Sequence, residues 1–507
     1  MSILFLFLLG SLIGLTGFGS DDDPVTTTSG DDSIPDVDPV FWDGTEGPDT
    51  YVHDGRGVIR GLGGDDTIEV GGYSQAEGGE GNDFLEVYDV SKGLGGPGND
   101  TLIIHNESVG VGGSGDDTIR SYDASTSYGG AGNDEMFGNR FAEITGGSGD
   151  DNMIVTNKAK AGGSLGDDTI LARNEARAWG GQGDDTITAF NFATVVGNSG
   201  DDVLTLFDQS EGSGRQGADV FDVNDQAVAY GGSGNDTFSL DDQALAFGGA
   251  GDDLFRDDGS FADGGISTGV GGAGEDRFEG FGHADYYGGS GDDLYIAQDA
   301  VAFDIFFGGS GADVAEMGQT GIALGGSGDD TITGNTYGVI AGNSGDDTLI
   351  LTRTLKVDAT DGVVEVPEDF QAMYAVGGTG ADTFVMDKTI FMADADFVDG
   401  IAPATGSTAE ASYLAAVMPS ALTVGTITDY DAAEDQIVLE LPAAATGYQL
   451  SSITTAPVTG QTALDVSVTM SHSDAGQPDL VRTFRLEGVT TFDTDSIVVV
   501  QPPAPVI

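Results

Sequence analysis

Large apolar residues recur once every seventeen residues through most of this chain, inside short runs where small or apolar positions alternate with polar ones. Such alternation is the period of a β-strand. With the unit numbered from Gly112, position 8 is Ile119, and its counterparts include Leu204, Phe238 and Tyr295. That position is large and apolar in 19 of 20 copies, Ala315 being the exception. Positions 14 and 16 are often small, as in Ala176/Ala178 and Ala244/Ala246. Position 12 is Asp, Asn or Gly in 15 copies, among them Asn106, Asn174 and Asp225, which reads as a turn. Gly holds position 1 in 19 copies and position 4 in all 20. At both places it is expected to permit positive φ and close backbone approach.

The units start at residues 27, 44, 61, 78, 95, 112, 129, 146, 163, 180, 197, 214, 231 and 248, every step being 17, and then at 271, 288, 308, 325, 342 and 377. They cover residues 27–393, with coils lengthened near 255–270 and 295–307 and a decayed unit near 359–376, where Gly362 keeps its place close to Ala359. Each unit reads as loop, short strand, turn, short strand. A strand pair this short cannot bury its apolar face alone, so successive units must stack. The fold class is therefore all-β, a parallel β-roll or β-solenoid of about twenty 17-residue coils with a C-terminal, mostly-β capping domain. A low-complexity Gly/Asp linker would show no fixed spacing.

Composition changes the picture in one respect. The 507 residues hold 17 Lys+Arg against 85 Asp+Glu, a net charge of −68, with 84 Gly and no Cys. Nucleic acid is excluded as a partner because no basic footprint exists. The absence of Cys excludes disulfide scaffolds, Cys-ligated zinc and thiol enzymes. Disorder is the first reading of such charge, yet 39% of residues are hydrophobic. The charge must be tolerated inside something folded, which requires counter-ions.

The acids are not scattered. Position 6 is Asp in all 20 units: Asp32, Asp49, Asp66, Asp83, Asp100, Asp117, Asp134, Asp151, Asp168, Asp185, Asp202, Asp219, Asp236, Asp253, Asp276, Asp293, Asp313, Asp330, Asp347 and Asp382. Position 5 adds Asp65, Asp116, Asp150, Asp167, Asp184, Asp201, Asp252, Asp292, Asp329 and Asp346. Stacking sets position-6 carboxylates about 4.8 Å apart. At that spacing a pair repels by roughly 1 kcal/mol in water and by about 3–4 kcal/mol at an effective dielectric of 20. Oxygen ligands in a glycine-shaped loop suit Ca2+, and no nearby bases could neutralise the row instead. These residues are the candidate metal ligands, and folding is expected to be coupled to the metal. For a single copy the alternative is an Asp capping its own turn.

Gly-Gly-x-Gly-x-Asp followed by an apolar residue, as in Gly112 to Ile119, resembles the repeats-in-toxin (hemolysin-type) calcium-binding repeat. The resemblance implies a β-roll with Ca2+ between successive loops, held by the position-6 carboxylates and loop carbonyls. The chain departs from that pattern in having a period of 17 rather than 18 and one glycine loop per coil. It therefore implies one calcium row along one edge, with roughly one Ca2+ per adjacent loop pair. Gly61 to Asp66 and Gly214 to Asp219 deviate at position 2, where Leu62 and Arg215 stand.

At the N-terminus an apolar run from Ile3 to Phe18, broken by Gly10, Gly14 and Gly17, reads as an export signal or short anchor within residues 1–20 and is short for a membrane span. Residues 394–507 read as a β-rich cap. Ser407-Thr408-Ala409-Glu410 opens a short helix, and strands are expected at 422–427, 436–441, 463–470, 481–486 and 496–500. The stretch Ile427 to Leu439 resembles the end of many repeats-in-toxin proteins, which implies a type I secretion signal.

No H-E-x-x-H or G-x-S-x-G motif occurs, and His53, His105, His283 and His472 are scattered. The expected function is that of a secreted, non-catalytic calcium-binding repeat protein in an adhesin, matrix or surface-layer role, with glycans or a cell surface as partners. The alternative is an extracellular polysaccharide-active enzyme working on the face around residues 255–307, near Arg277 and His283. The aromatics Phe278, Phe281, Tyr286, Tyr287, Tyr295, Phe303, Phe306 and Phe307 lie there. They read either as a binding platform or as filling for a wider core.

Overall fold

The computed structural model describes residues 39–257, 265–282, 284–298, 303–318, 321–335, 338–352, 373–391, 421–442, 448–473 and 479–502. The N-terminal apolar run, Asp32, His283, the Ser407 helix signal and Ala359 lie outside them.

Each coil supplies two short strands, as in Val109–Ser114 and Thr118–Ser121. The first joins a sheet of 23 strands and the second a sheet of 21. Within the coils all pairing is parallel and in register with the repeat. Thr118 pairs with Glu135 and Ile119 with Met136, seventeen residues on. The expected solenoid is thus the observed fold.

The core lies between the two sheets. Positions 8 and 10 enter from one side, for example Ile170/Ala172 and Phe238/Leu240, and positions 14 and 16 from the other, for example Ala176/Ala178. Position 10 escapes a sequence reading because it varies from Gly138 to Leu206. The variation is compensated across the core. Where position 16 is Gly, a long side chain at position 10 fills the gap: a Cβ on Gly110 would lie 2.6 Å from Ile104, and one on Gly212 would lie 2.8 Å from Leu206. Where position 10 is Ser121, its hydroxyl meets that of Ser127 instead. Along the core Phe221, Phe238, Phe255 and Phe278 stack at centroid spacings of 4.8, 4.7 and 5.0 Å, which is the strand spacing itself.

The two turns differ. Positions 12 and 13 both take left-handed φ, as at Asn106 (50°) and Glu107 (58°), which Asn and Asp tolerate best. In the glycine loop positive φ falls at positions 2 and 4, such as Gly113 (132°) and Gly115 (124°), and not at position 1 as expected. Position 1 is glycine for want of space rather than for its backbone angle. A Cβ on Gly146 would stand 1.9 Å from the Asp151 carboxylate.

Insertions leave the stack intact. Leu254 pairs with Arg277, Leu294 with Val314 and Val339 with Tyr374. The last pairing joins the coils of Gly342 and Gly377 directly; the decayed unit expected near Ala359 lies outside the described residues. All three insertions fall after position 10, away from the glycine loop.

At the C-terminal end Ala421–Ile427 and Gln436–Glu440 extend both sheets (Met373 with Gly425, Thr383 with Gln436). Antiparallel strands Tyr448–Pro457, Ala463–His472 and Leu480–Glu487 follow, and Val498–Val500 lies beside Gln436–Glu440. All the expected cap strands form. Tyr448–Pro457 was not expected, because Tyr448 alone among its residues is buried and no alternation marks it.

Phe238→Ala should cost about 3–5 kcal/mol. The loss should appear as faster amide exchange in strands Val220–Val223 and Leu254–Asp257. Unchanged exchange there would show that the ring stack carries little stability.

Candidate metal centre

The glycine loop brings two side-chain ladders together, one outside and one inside. Outside, the ten described position-5 aspartates accept the backbone N–H of position 5 in the next coil through Oδ1, as in Asp184 from Asp201 at 2.8 Å. Asn82, Asn99, Asn133 and Asn235 accept the same bond. A neutral acceptor therefore suffices at position 5, and its acids need no metal to explain them.

Inside, the relation runs the other way. From Asp66 onward, Oδ1 of each position-6 Asp accepts the N–H of position 6 in the preceding coil, as in Asp185 from Asp168 at 2.8 Å and Asp382 from Asp347 at 3.0 Å. The eighteen carboxyls from Asp66 to Asp382 are 0–2% exposed. Asn could accept that bond equally well, yet Asp recurs at every position 6. The explanation lies in the second oxygen. Seventeen of the Oδ2 atoms, from Asp66 to Asp347, are buried with no hydrogen-bond partner, an uncommon and costly condition.

The two ends of the row show what satisfies such an atom. Oδ2 of Asp49 accepts the N–H (2.6 Å) and hydroxyl (3.0 Å) of Thr45. Beyond Asp382 the cap provides Asp435, a ladder residue absent from the sequence-based set. Its Oδ1 accepts the Asp382 N–H at 3.1 Å and its Oδ2 the Asp431 N–H at 2.7 Å. Asp435 is legible only as an Asp two residues before the apolar Ile437, without the glycines. Asp429 meanwhile accepts the N–H groups of Gly377 and Gly378 at 2.9 and 2.8 Å. Among the described residues the flanking rungs are closed by protein donors and the seventeen between them are not.

The residues present fit a hard cation. The space left by the missing Cβ of Gly95 lies 2.2 Å from Asp100 Oδ2 and 2.5 Å from the Gly112 carbonyl oxygen. A carboxylate oxygen and a carbonyl of the next coil thus converge there. Strand pairing also skips position 1: Tyr128 pairs with Thr145 and Gly130 with Gly147, but not Gly129 with Gly146. Among the described residues no three acidic or His side chains converge on one point. A cation here would therefore draw mainly on backbone carbonyls, with one or two carboxylates.

Burial, first of all, pushes these carboxyls up, with neighbouring carboxylates adding and the accepted N–H opposing. Asp117, Asp151, Asp185, Asp202, Asp236, Asp253, Asp293 and Asp330 reach about 7. Asp83, Asp100, Asp134, Asp168, Asp219, Asp276, Asp313 and Asp347 reach about 6. From an ordinary 3.8 this corresponds to roughly 3–4 kcal/mol per ionised rung at neutral pH.

The lengthened coils look different. Phe278, Tyr286, Tyr295 and Phe306 fill the core, while Tyr287 and Phe307 stack on each other outside, 4.9 Å apart. Arg277 is paired with Glu279 at 2.9 Å. His105 stacks on Tyr122 and His472 lies edge-on to Tyr448, far apart along the chain.

No family model and no curated protein matches the chain. Among solved structures it is similar to a hyperactive, Ca2+-dependent, beta-helical antifreeze protein from an Antarctic bacterium, at 17% identity over 64% of this chain and 88% of that one, with a TM-score of 0.24. The superposition is too loose for the likeness to bear on function.

Two outcomes are expected. Asp185→Asn keeps the Oδ1 bond but removes the anionic oxygen, so it should abolish part of the calcium-dependent rise in melting temperature, whereas Asp184→Asn should leave it unchanged. Equal effects would mean that both ladders serve only as hydrogen-bond acceptors. The second concerns pH. The folded carboxyls titrate near 6–7 and the unfolded ones near 3.8, so the metal-free fold takes up protons that the unfolded chain does not. Its stability should rise as pH falls from about 7 towards 4. Circular dichroism in chelator would contradict this if β-structure diminished between pH 8 and 5.

Proposed function

We propose that this protein is a non-catalytic calcium-binding solenoid that acts outside the cell, in an adhesin, matrix or surface-layer role. The observation that carries the reading is the row of seventeen buried carboxylate oxygens without a protein donor, flanked among the described residues by rungs that have one. A proton or a cation can complete each rung. At neutral pH an ionised row needs the cation, and an all-oxygen, carbonyl-rich donor set suits Ca2+ better than a metal that prefers nitrogen or sulfur. Among the described residues no Lys or Arg pairs with the row, so no internal base takes the cation's place.

An extracellular setting is supported by the kind of donor set present. A site with one or two carboxylates and several carbonyls belongs with extracellular modules, which bind Ca2+ at about 10⁻⁴–10⁻³ M. The apolar run within residues 1–20 supports export. Among the described residues no helix is long and apolar enough to cross a membrane. The closed solenoid then serves as a spacer or display surface, on which glycans or a cell surface are the partners we favour.

Calcium titration should drive a cooperative gain of β-structure by circular dichroism, and chelator should reverse it. Calorimetry should count close to seventeen ions, the number of orphan oxygens. A spectrum indifferent to millimolar Ca2+ at pH 7.5, or a count of one or two ions, would refute the reading.

A further inference from the structure

The outer face of the 23-stranded sheet changes character halfway along. Its outward positions are 15 and 17 of each coil. From Thr126 to Ser213 polar and charged residues predominate, among them Glu143, Lys160, Arg177 and Glu211, and only Tyr128, Trp179 and Val196 of the twelve are apolar or aromatic. From Val228 to Val376 fourteen of the sixteen are apolar or aromatic, Thr268 and Asp285 being the exceptions. Leu245 and Phe247 are followed rung by rung to Ile322 and Leu324, and the pairing runs unbroken through both lengthened coils. Tyr230 is 39% exposed, Tyr287 39% and Tyr374 46%. Along one border three successive coils add Ile266, Phe281 and Phe303, at 53, 40 and 48% exposure.

We infer that this half-face is the contact between two copies of the chain, packed sheet on sheet. Parallel sheets are as a rule covered on both faces, and here one face is already the solenoid core. Eight coils at about 4.8 Å give a strip roughly 40 Å long and 15–18 Å wide. That is on the order of 600 Å2 per copy, so a pair reaches the lower edge, about 1,200 Å2, of a specific interface. Charge limits where a second copy can dock. On a molecule of net charge −68, a second copy is repelled at every face except one that carries almost no charge, and this face carries Asp285 alone. The same net charge disfavours an anionic lipid surface. A sugar-stacking platform fits poorly as well. Tyr230 lies against Phe247 and Tyr287 against Phe307 with planes 7° and 4° apart, so the rings cover one another's faces and present their edges.

Sedimentation velocity on the full chain, folded as judged by circular dichroism, tests the inference whichever cation folds it. A reversible monomer–dimer equilibrium across the micromolar range is expected. Phe247→Asp and Tyr287→Asp should each shift it at least tenfold towards monomer without altering the spectrum, and Thr194→Asp, on the polar half, should not shift it. Hydroxyl-radical footprinting of the unsubstituted protein gives an independent readout: Tyr287 should be protected only at concentrations where dimer forms. A monomer at all concentrations overturns the inference, as does a dimer indifferent to both Asp variants. Protection of Tyr287 in the monomer would mean that the chain's own segments cover the face. Binding to neutral lipid vesicles without dimerisation would assign the face to an apolar surface. Either of these results also overturns it.

Discussion

The architecture depends on one carboxylate in each coil. Oδ1 of the position-6 Asp takes the N–H of the coil before it and thereby sets the stacking register at the glycine edge. The same side chain commits Oδ2 to a dry interior. A backbone amide is thus satisfied at the expense of a buried anion, and the fold stands only when something else neutralises that anion. Repetition makes the requirement collective, since neutralising one rung would stabilise the register on which the next rung depends. The flanking described rungs, Asp49 and Asp435, escape it because Thr45 and Asp431 supply protein donors.

Glycine follows from the same constraint in two distinct ways. At positions 2 and 4 the backbone enters a φ region that side chains avoid. At position 1 the φ is ordinary, but a Cβ would occupy the place where Oδ2 and the neighbouring carbonyl meet. Removing that Cβ leaves oxygen lining a small cradle. On the opposite turn Asn and Asp tolerate left-handed φ without glycine, so that edge remains free to accept insertions, and all three insertions occur there.

The interior shows a looser rule. Positions 10 and 16 trade volume, Leu206 against Gly212 and Ser121 against Ser127, so that their sum, rather than either identity, is held constant. The phenylalanine stack exploits the coincidence of strand spacing and ring stacking distance. The lengthened coils depart from this rule, for there Tyr295 donates to Asp304 at 2.6 Å inside the core.

The period, the β-solenoid class, the apolar position 8, the second turn and most cap strands were legible in the amino-acid sequence. Each rests on local preference repeated many times, which averages away the irregular copies. The position-6 row was legible for the same reason. Tertiary structure alone separated that row from the position-5 acids, because which of two adjacent aspartates faces inward depends on the pleat of a strand whose register is set by its neighbours. It alone exposed the orphan oxygens and revealed Asp435 as a rung without glycines. It also closed the gap between Gly342 and Gly377, and divided the aromatics of residues 278–307 between core and surface. These are matters of which atoms meet across coils, and contact between residues seventeen or more apart is decided by stacking rather than by any one segment's composition.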